Sequence, residues 1–134
     1  MEIIMQKIIP LSLLLTLTLS ACGESIKTKE ELSQLPIEEY SVEVCQAILD
    51  MNLDQLSHML SERELSDLQD EINEKSIDFL KDYLEDRVKC DDAKVKLHKE
   101  RRGYNSYIAR LHNLELKIRE ENKAFTIRSI KVEG

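Results

Sequence analysis

Tryptophan is absent from the 134-residue sequence, which has only three glycines, two phenylalanines and four tyrosines. A hydrophobic core must therefore be built mainly from Leu, Ile and Val. Three glycines are too few for a glycine-rich loop of the kind that cradles phosphate groups. Ser61 and Ser66 also lack the Gly-x-Ser-x-Gly surroundings of a hydrolase nucleophile. These absences disfavour nucleotide-binding and serine-hydrolase activities.

No apolar run is long enough to form a membrane-spanning helix. The longest covers about twelve residues from Ile8 to Leu19, whereas a span needs roughly twenty. Charged residues resume at Glu24, and Lys7 makes the start weakly basic. This arrangement is typical of a signal peptide, which we assign to residues 1–21, with Met1 or Met5 as the first residue.

The apolar run ends in Leu19-Ser20-Ala21-Cys22, which resembles the lipobox of bacterial lipoproteins. The resemblance implies cleavage before Cys22, a diacylglyceryl thioether on its sulfur and acylation of its new amine. Two or more acyl chains anchor a protein stably, so we expect a protein of the cell envelope, held on a membrane by its lipid. By resemblance to Gram-negative lipoproteins, Gly23 after the cysteine favours sorting to the outer membrane, facing the periplasm, if the host is Gram-negative. The alternative is an ordinary secretory signal with a chance cysteine.

Charge and hydrophobic period change at the same point in the chain. Residues 22–92 carry 7 basic and 20 acidic side chains, whereas residues 93–134 carry 11 basic and 5 acidic ones. Apolar residues recur with a helical period before this point and with a period of two after it. The pattern predicts an α+β domain over residues 37–134, with N-terminal helices packed on a C-terminal antiparallel meander of about three strands. Residues 22–36 are polar, and we expect a tether there.

Three cap signals mark the starts of the predicted helices. Thr28 and Glu31 form a possible capping box for a short helix, and Asn52 with Gln55 caps a second one. Ser61 and Glu64 begin the most regular pattern, which predicts one long helix over residues 62–89. The alternative is that this helix is a coiled-coil element of a mainly helical protein.

The meander is predicted from alternating apolar residues and two turns. The phase of the last strand slips, which predicts a β-bulge. The turn candidates are Arg102-Gly103 and Glu121-Asn122-Lys123. The inward positions are Val95, Leu97, Leu114, Leu116, Ile118, Phe125 and Ile127, with Ile130 and Val132 after the slip.

The stretch from Val44 to Leu60, together with the ending from Leu116 to Ile130, resembles the cystatin-like cone of the nuclear transport factor two-like superfamily. It is similar to small bacterial lipoproteins built on that cone, over residues 40–132. The chain departs from the pattern at Asn122-Lys123 and Phe125, where an Asp-Gly turn followed by Trp is usual. Enzymes on this cone carry an acid–base dyad in the pocket. The inward positions here are apolar, so we expect no enzyme.

Cys45 and Cys90 remain once Cys22 is used by lipid. In an oxidising periplasm they predict a disulfide between the first long helix and the start of the sheet. The alternative is two buried free thiols. Neither cysteine has a His or Cys at ligand spacing, and Glu85-Asp86 with Asp91-Asp92 lacks the pattern of a calcium loop. We therefore expect no metal and no cofactor.

The last third of the chain predicts a basic face on the sheet. Its members alternate with the inward positions and are Lys94, Lys96, His98, Lys117, Arg119 and Arg128. Such a face is either simply solvated or a docking surface for an anionic partner, such as an envelope polysaccharide, lipid headgroups or an acidic protein. Nucleic acid is not expected, because the chain is net acidic.

Three hypotheses for function follow from these features. The first is a membrane-anchored binding module, and the second is a small-ligand pocket between helices and sheet, possibly hydrolytic. The second requires that His58, His98 or His112 contribute to one cavity. The third, an exclusion lipoprotein of a phage or plasmid, rests only on size and anchor.

Overall fold

The computed structural model describes residues 26–133, in which a helical layer precedes a four-stranded sheet. This confirms the predicted α+β class, with one more strand than the three expected. The helices are α1 (Lys29–Leu32), α2 (Ile37–Asp50), α3 (Leu53–Leu56), α4 (Glu62–Lys75) and α5 (Ile77–Glu85). The strands are β1 (Lys89–Arg101), β2 (Tyr104–His112), β3 (Leu114–Glu121) and β4 (Ala124–Val132).

All three predicted helix starts are confirmed, because each cap side chain accepts a backbone hydrogen bond. The Thr28–Glu31 capping box is complete, and the Asn52 side chain accepts from the N–H of Gln55 at 3.2 Å. Ser61 accepts from the N–H of Glu64 at 3.3 Å. The Glu64 carboxylate does not complete this last box, since it accepts from the sheet instead.

The prediction of one long helix over 62–89 is wrong, because the backbone breaks at Ser76. Ser76 has φ 89° and ψ 154°, and its side chain caps α5 by accepting from the N–H of Phe79 at 3.3 Å. The apolar stripe explains the break. After Ile72 a continuous helix would place Lys75 or Ser76 over the core. The four-stranded sheet also excludes the mainly helical alternative.

The segment predicted as a tether, residues 22–36, is packed on the domain from Lys27 onward. Leu32 is 1% exposed, and the backbone of Lys27 makes two hydrogen bonds to the side chain of Gln55, at 2.8 and 3.0 Å. The Lys29 ammonium also donates to the hydroxyl of Thr126 in β4 at 3.2 Å. This segment therefore belongs to the folded domain from Lys27 onward. Residues 22–25, including Cys22, and the signal peptide assigned to 1–21 lie outside the described residues.

The sheet is an antiparallel meander in the order β1-β2-β3-β4. Both predicted turns are present, and the predicted bulge in β4 appears as a register shift that leaves Arg128 without a partner in β3. The outer edge of β4 is partly covered, because Ile127 exchanges backbone hydrogen bonds with the segment Met59–Ser61. The helices therefore hold the sheet along this edge as well as on one face.

The core lies between the helical layer and one face of the sheet. The predicted disulfide between Cys45 and Cys90 is present and joins α2 to the start of β1, with the two Cα atoms 5.7 Å apart. Cys45 is fully buried among the core side chains. Leu97 faces the same side by register, yet it is 53% exposed, because β1 extends beyond the main core.

Candidate functional site

The face of the sheet opposite the core contains a basic pocket of about 390 Å³. Three of the five Lys and Arg residues predicted for the binding surface line it, namely Lys117, Arg119 and Arg128, and His98 joins them. Lys94 and Lys96 lie on the same face by strand register, opposite Arg110 and Ile108 of β2, but they do not line the pocket. The predicted basic face is therefore present on the sheet, and only the part around Lys117, Arg119 and Arg128 is concave.

Two β-bulges shape the pocket, one in each edge strand of the sheet. In β1 the register shifts between Leu97 and Lys99, so that His98 is the extra residue. In β4 the corresponding extra residue is Arg128. A bulge bends its strand and redirects a side chain. Here the two bulges bring Lys99 and Arg128 to the pocket from strands that are not neighbours.

Arg119 is held in place before any ligand arrives. Its guanidinium carbon lies 3.9 Å from the ring centroid of Tyr104, and its Nη1 lies 4.0 Å from a carboxylate oxygen of Glu121. Ser106 is directly opposite Arg119 in the ladder and is only 7% exposed. The stacked guanidinium and the Ser106 hydroxyl line the same pocket and can both donate to an oxygen-rich anion.

The charges that line the pocket are almost all positive. Arg63 of α4 and Lys99 add to the three predicted cations, and Glu64 is the acidic residue in the lining. Burial is the main cause that raises the pKa of Glu64, and its hydrogen bond from the N–H of Ile130, at 3.1 Å, opposes this effect. The carboxylate is therefore engaged by the edge of β4, and the pocket as a whole attracts anions.

The remaining histidines do not join this site. His58 follows α3 and His112 ends β2, and neither lines a cavity described here. Within residues 26–133 no group of three His, Cys, Asp or Glu side chains could hold a metal ion. Of the three histidines, His98 therefore contributes to the basic pocket, and His58 and His112 do not join it.

Six pocket residues were not predicted from the sequence as part of the basic face: Arg63, Glu64, Lys99, Tyr104, Ser106 and Ser129. Strict alternation after Val95 and Leu97 places Lys99 on the inward face, and the β1 bulge reverses this. Tyr104 and Ser106 belong to β2, a strand that the sequence analysis missed. The slip of phase in β4 was the one signal that could have placed Ser129 beside Lys117.

No family model, curated protein or solved structure matches the chain. Among residues 26–133, the structure contains no helix with the length and apolar character that crossing a membrane requires. Function must therefore be inferred from the cavities and the charges around them.

Proposed function

We propose that the protein is a lipid-anchored lipoprotein of the bacterial envelope that binds an anionic glycan in the basic pocket. The observation that carries the binding role is the convergence of five Lys and Arg side chains on one concave site. The anchor rests on the lipobox-like Leu19-Ser20-Ala21-Cys22. The relationship to cone-fold lipoproteins stays a prediction, supported by the order of helices before a meander.

The shape and chemistry of the pocket favour a glycan over the other anionic partners. A cavity of about 390 Å³ is in the size range that takes a small ligand or one unit of a larger one. The surface of a bilayer or of an acidic protein is broad, and it would contact the whole basic face, including Lys94 and Lys96, and not the pocket alone. Ser106 and Ser129 add hydroxyl groups, which can bond to sugar hydroxyls as well as to an anionic group.

The binding proposal is tested with the full chain carrying Cys22→Ser, so that no acyl chain binds the vesicles, and four probes: alginate, neutral dextran, phosphatidylglycerol vesicles and polyglutamate. We expect saturable binding to alginate that weakens as salt rises, and none to dextran. Lys117→Glu, in the pocket, should lower the alginate affinity about tenfold, by replacing an attraction with a repulsion. Binding only to vesicles or only to polyglutamate would contradict the glycan assignment.

Two matched variants distinguish the pocket from the whole basic face. Lys96→Glu and Lys131→Glu make the same charge change on the same face, outside the pocket lining. We expect each to change the alginate affinity by less than about twofold. A loss equal to that of Lys117→Glu would show diffuse attraction by the face and not a pocket.

The anchor is tested by metabolic labelling of the full chain with palmitate. We expect label on the wild type and none on Cys22→Ser, and mass spectrometry should place cleavage before Cys22. An unlabelled wild-type chain, released from membranes by high salt, would overturn the lipoprotein proposal while leaving the glycan test unaffected.

A further inference from the structure

The helical layer contains a second cavity, an apolar groove of about 430 Å³ that is open to solvent along one side. It lies among α2, α4, α5 and the edge strand β4. Its apolar walls come from all four elements and include Ile48, Leu68, Leu80, Leu84, Ile130 and Val132. The groove is thus a gap between the helices and the sheet, separate from the basic pocket.

The gap lies where the helical layer bends at Ser76. Helix α4 packs against β4, whereas α5 packs against α2 and α4. Leu80 and Leu84 of α5 are buried at the inner side of the groove. Phe79, one turn before Tyr83, stacks on it with ring centroids 6.4 Å apart, and it lines the groove while remaining 50% exposed. An apolar ring held half in water is suited to cover an apolar ligand.

Acidic side chains of α4 form one rim of the groove. Glu64, Asp67 and Glu71 follow each other at intervals of three and four residues and line the cavity with Lys75, so they share one helix face. The Lys75 ammonium lies 3.1 Å from the carboxylate of Glu71 and offsets that charge. The rim therefore keeps a net negative charge directly beside apolar walls.

We propose that this groove binds a small cationic amphiphile, with its apolar body against the walls and its positive group at the acidic rim. Charge complementarity selects this class, because the same rim repels a fatty acid or another anionic amphiphile. The volume fits a small ligand, since such cavities span roughly 300–1,000 Å³. A partner helix would need a broader contact surface, of about 800 Å² on each side.

The chain offers a clean optical reporter for this site, because it contains no tryptophan. Phe79→Trp places a single tryptophan at the mouth of the groove. In the full chain with Cys22→Ser, which prevents acylation, we expect dodecyltrimethylammonium below its micelle concentration to cause a saturable blue shift. Dodecanoate should bind at least about tenfold more weakly, and the neutral dodecyl maltoside should lie between them.

A pair of surface variants tests the role of the rim. Asp67→Asn removes a rim charge, whereas Asp70→Asn removes an identical charge from an exposed position of α4 outside the groove lining. We expect Asp67→Asn to weaken binding of the cation about threefold and to leave binding of dodecyl maltoside unchanged. Asp70→Asn should change neither.

Three outcomes would overturn the proposal. The first is equal affinity for dodecanoate and the cation, and the second is an equal effect of the two aspartate variants. The third is no saturable shift with the amphiphile while a basic amphipathic peptide does produce one, which would assign the groove to a partner helix.

Discussion

The carboxylate of Glu64 accepts a hydrogen bond of 3.1 Å from the backbone N–H of Ile130, which joins the first turn of α4 to the edge of β4. Glu64 also lines both the basic pocket and the apolar groove. One side chain therefore forms part of the wall between two cavities of opposite character. The bond also satisfies a backbone N–H on the outer edge of β4. This N–H belongs to Ile130, which faces the core again after the bulge at Arg128.

Glu64→Gln should make the stability of the domain less dependent on pH. Burial raises the pKa of Glu64 above its ordinary value, so the folded chain binds this proton more tightly than the unfolded chain. The stability that the protonated group contributes is present below the ordinary carboxyl pKa and is lost as pH rises through the raised value. The amide cannot ionise and can still accept from Ile130. The variant should therefore gain stability relative to wild type from pH 4 to pH 7, measured by denaturant unfolding.

The control for this effect is Glu62→Gln, a change at an exposed position in the same helical turn. It removes one charge from that turn without the hydrogen bond to Ile130, so the difference between the two variants is what is attributed to Glu64. A constant difference in stability between Glu64→Gln and wild type at both pH values would contradict the prediction.

Loss of the disulfide should lower the free energy of unfolding by about 4 kcal/mol, because the bond closes a long loop in the unfolded chain. Cys45 and Cys90 are 45 positions apart. Replacing both by alanine avoids leaving a free thiol. Urea unfolding of the double variant should match that of reduced wild type. If a reductant leaves the urea midpoint of wild type unchanged, the disulfide assignment is contradicted.

Ser76→Gly should stabilise the domain by about 1 kcal/mol. Ser76 has φ 89° and ψ 154°, a region that only glycine adopts without strain, and a glycine N-cap costs only a few tenths of a kcal/mol. Ser76→Ala should destabilise by about 1 kcal/mol, because it keeps the strain and loses the cap. Ser66→Gly, in the exposed interior of α4, should destabilise. Thermal unfolding of the three variants gives the signs, and a destabilised Ser76→Gly would refute the strain.

Gln55→Met should release the segment around Lys27, which precedes α1, from the domain. The side chain of Gln55 accepts from the N–H of Lys27 and donates to its carbonyl, and methionine has similar length without these groups. Leaving both backbone groups unpaired should cost about 2 kcal/mol locally. Hydrogen exchange should accelerate at Lys27 and Leu32 but not in β3. Gln34→Met, at an exposed position, serves as the control. Unchanged hydrogen exchange in Gln55→Met would show that the contact between Gln55 and Lys27 does not hold this segment on the domain.

Local chemistry in the sequence predicted much of the fold. The caps at Thr28, Asn52 and Ser61 depend on side chains that bond within three residues, so spacing alone reveals them. The same holds for Asn122 and Lys123, which adopt φ of 54° and 64° in the last turn. The disulfide followed from counting cysteines after one was assigned to lipid.

Elements governed by distant contacts were missed. Strand β2 buries Ser106 on one face and Ala109 with Leu111 on the other, so its apolar residues show no clean alternation. Its turn into β3 uses Asn113 at φ 58°, and the amide of Asn113 donates to the carbonyl of Arg87, a contact that no local pattern reveals. The basic pocket was predicted only in part for the same reason. Periodicity shows on which face of the sheet a side chain lies, but not how the bulges curve the sheet and bring side chains together.

The early start of the folded domain limits how far it can stand from a bilayer. If lipid is attached to Cys22, only residues 22–26 separate the anchor from Lys27, which the domain already holds. Even fully extended, five residues reach about 17 Å, little more than the roughly 13 Å radius of gyration of a domain of this size. So short a linker would keep the domain close to the bilayer surface. With lipid on Cys22, any ligand of the two cavities would therefore have to come to within a few nanometres of the membrane to be bound.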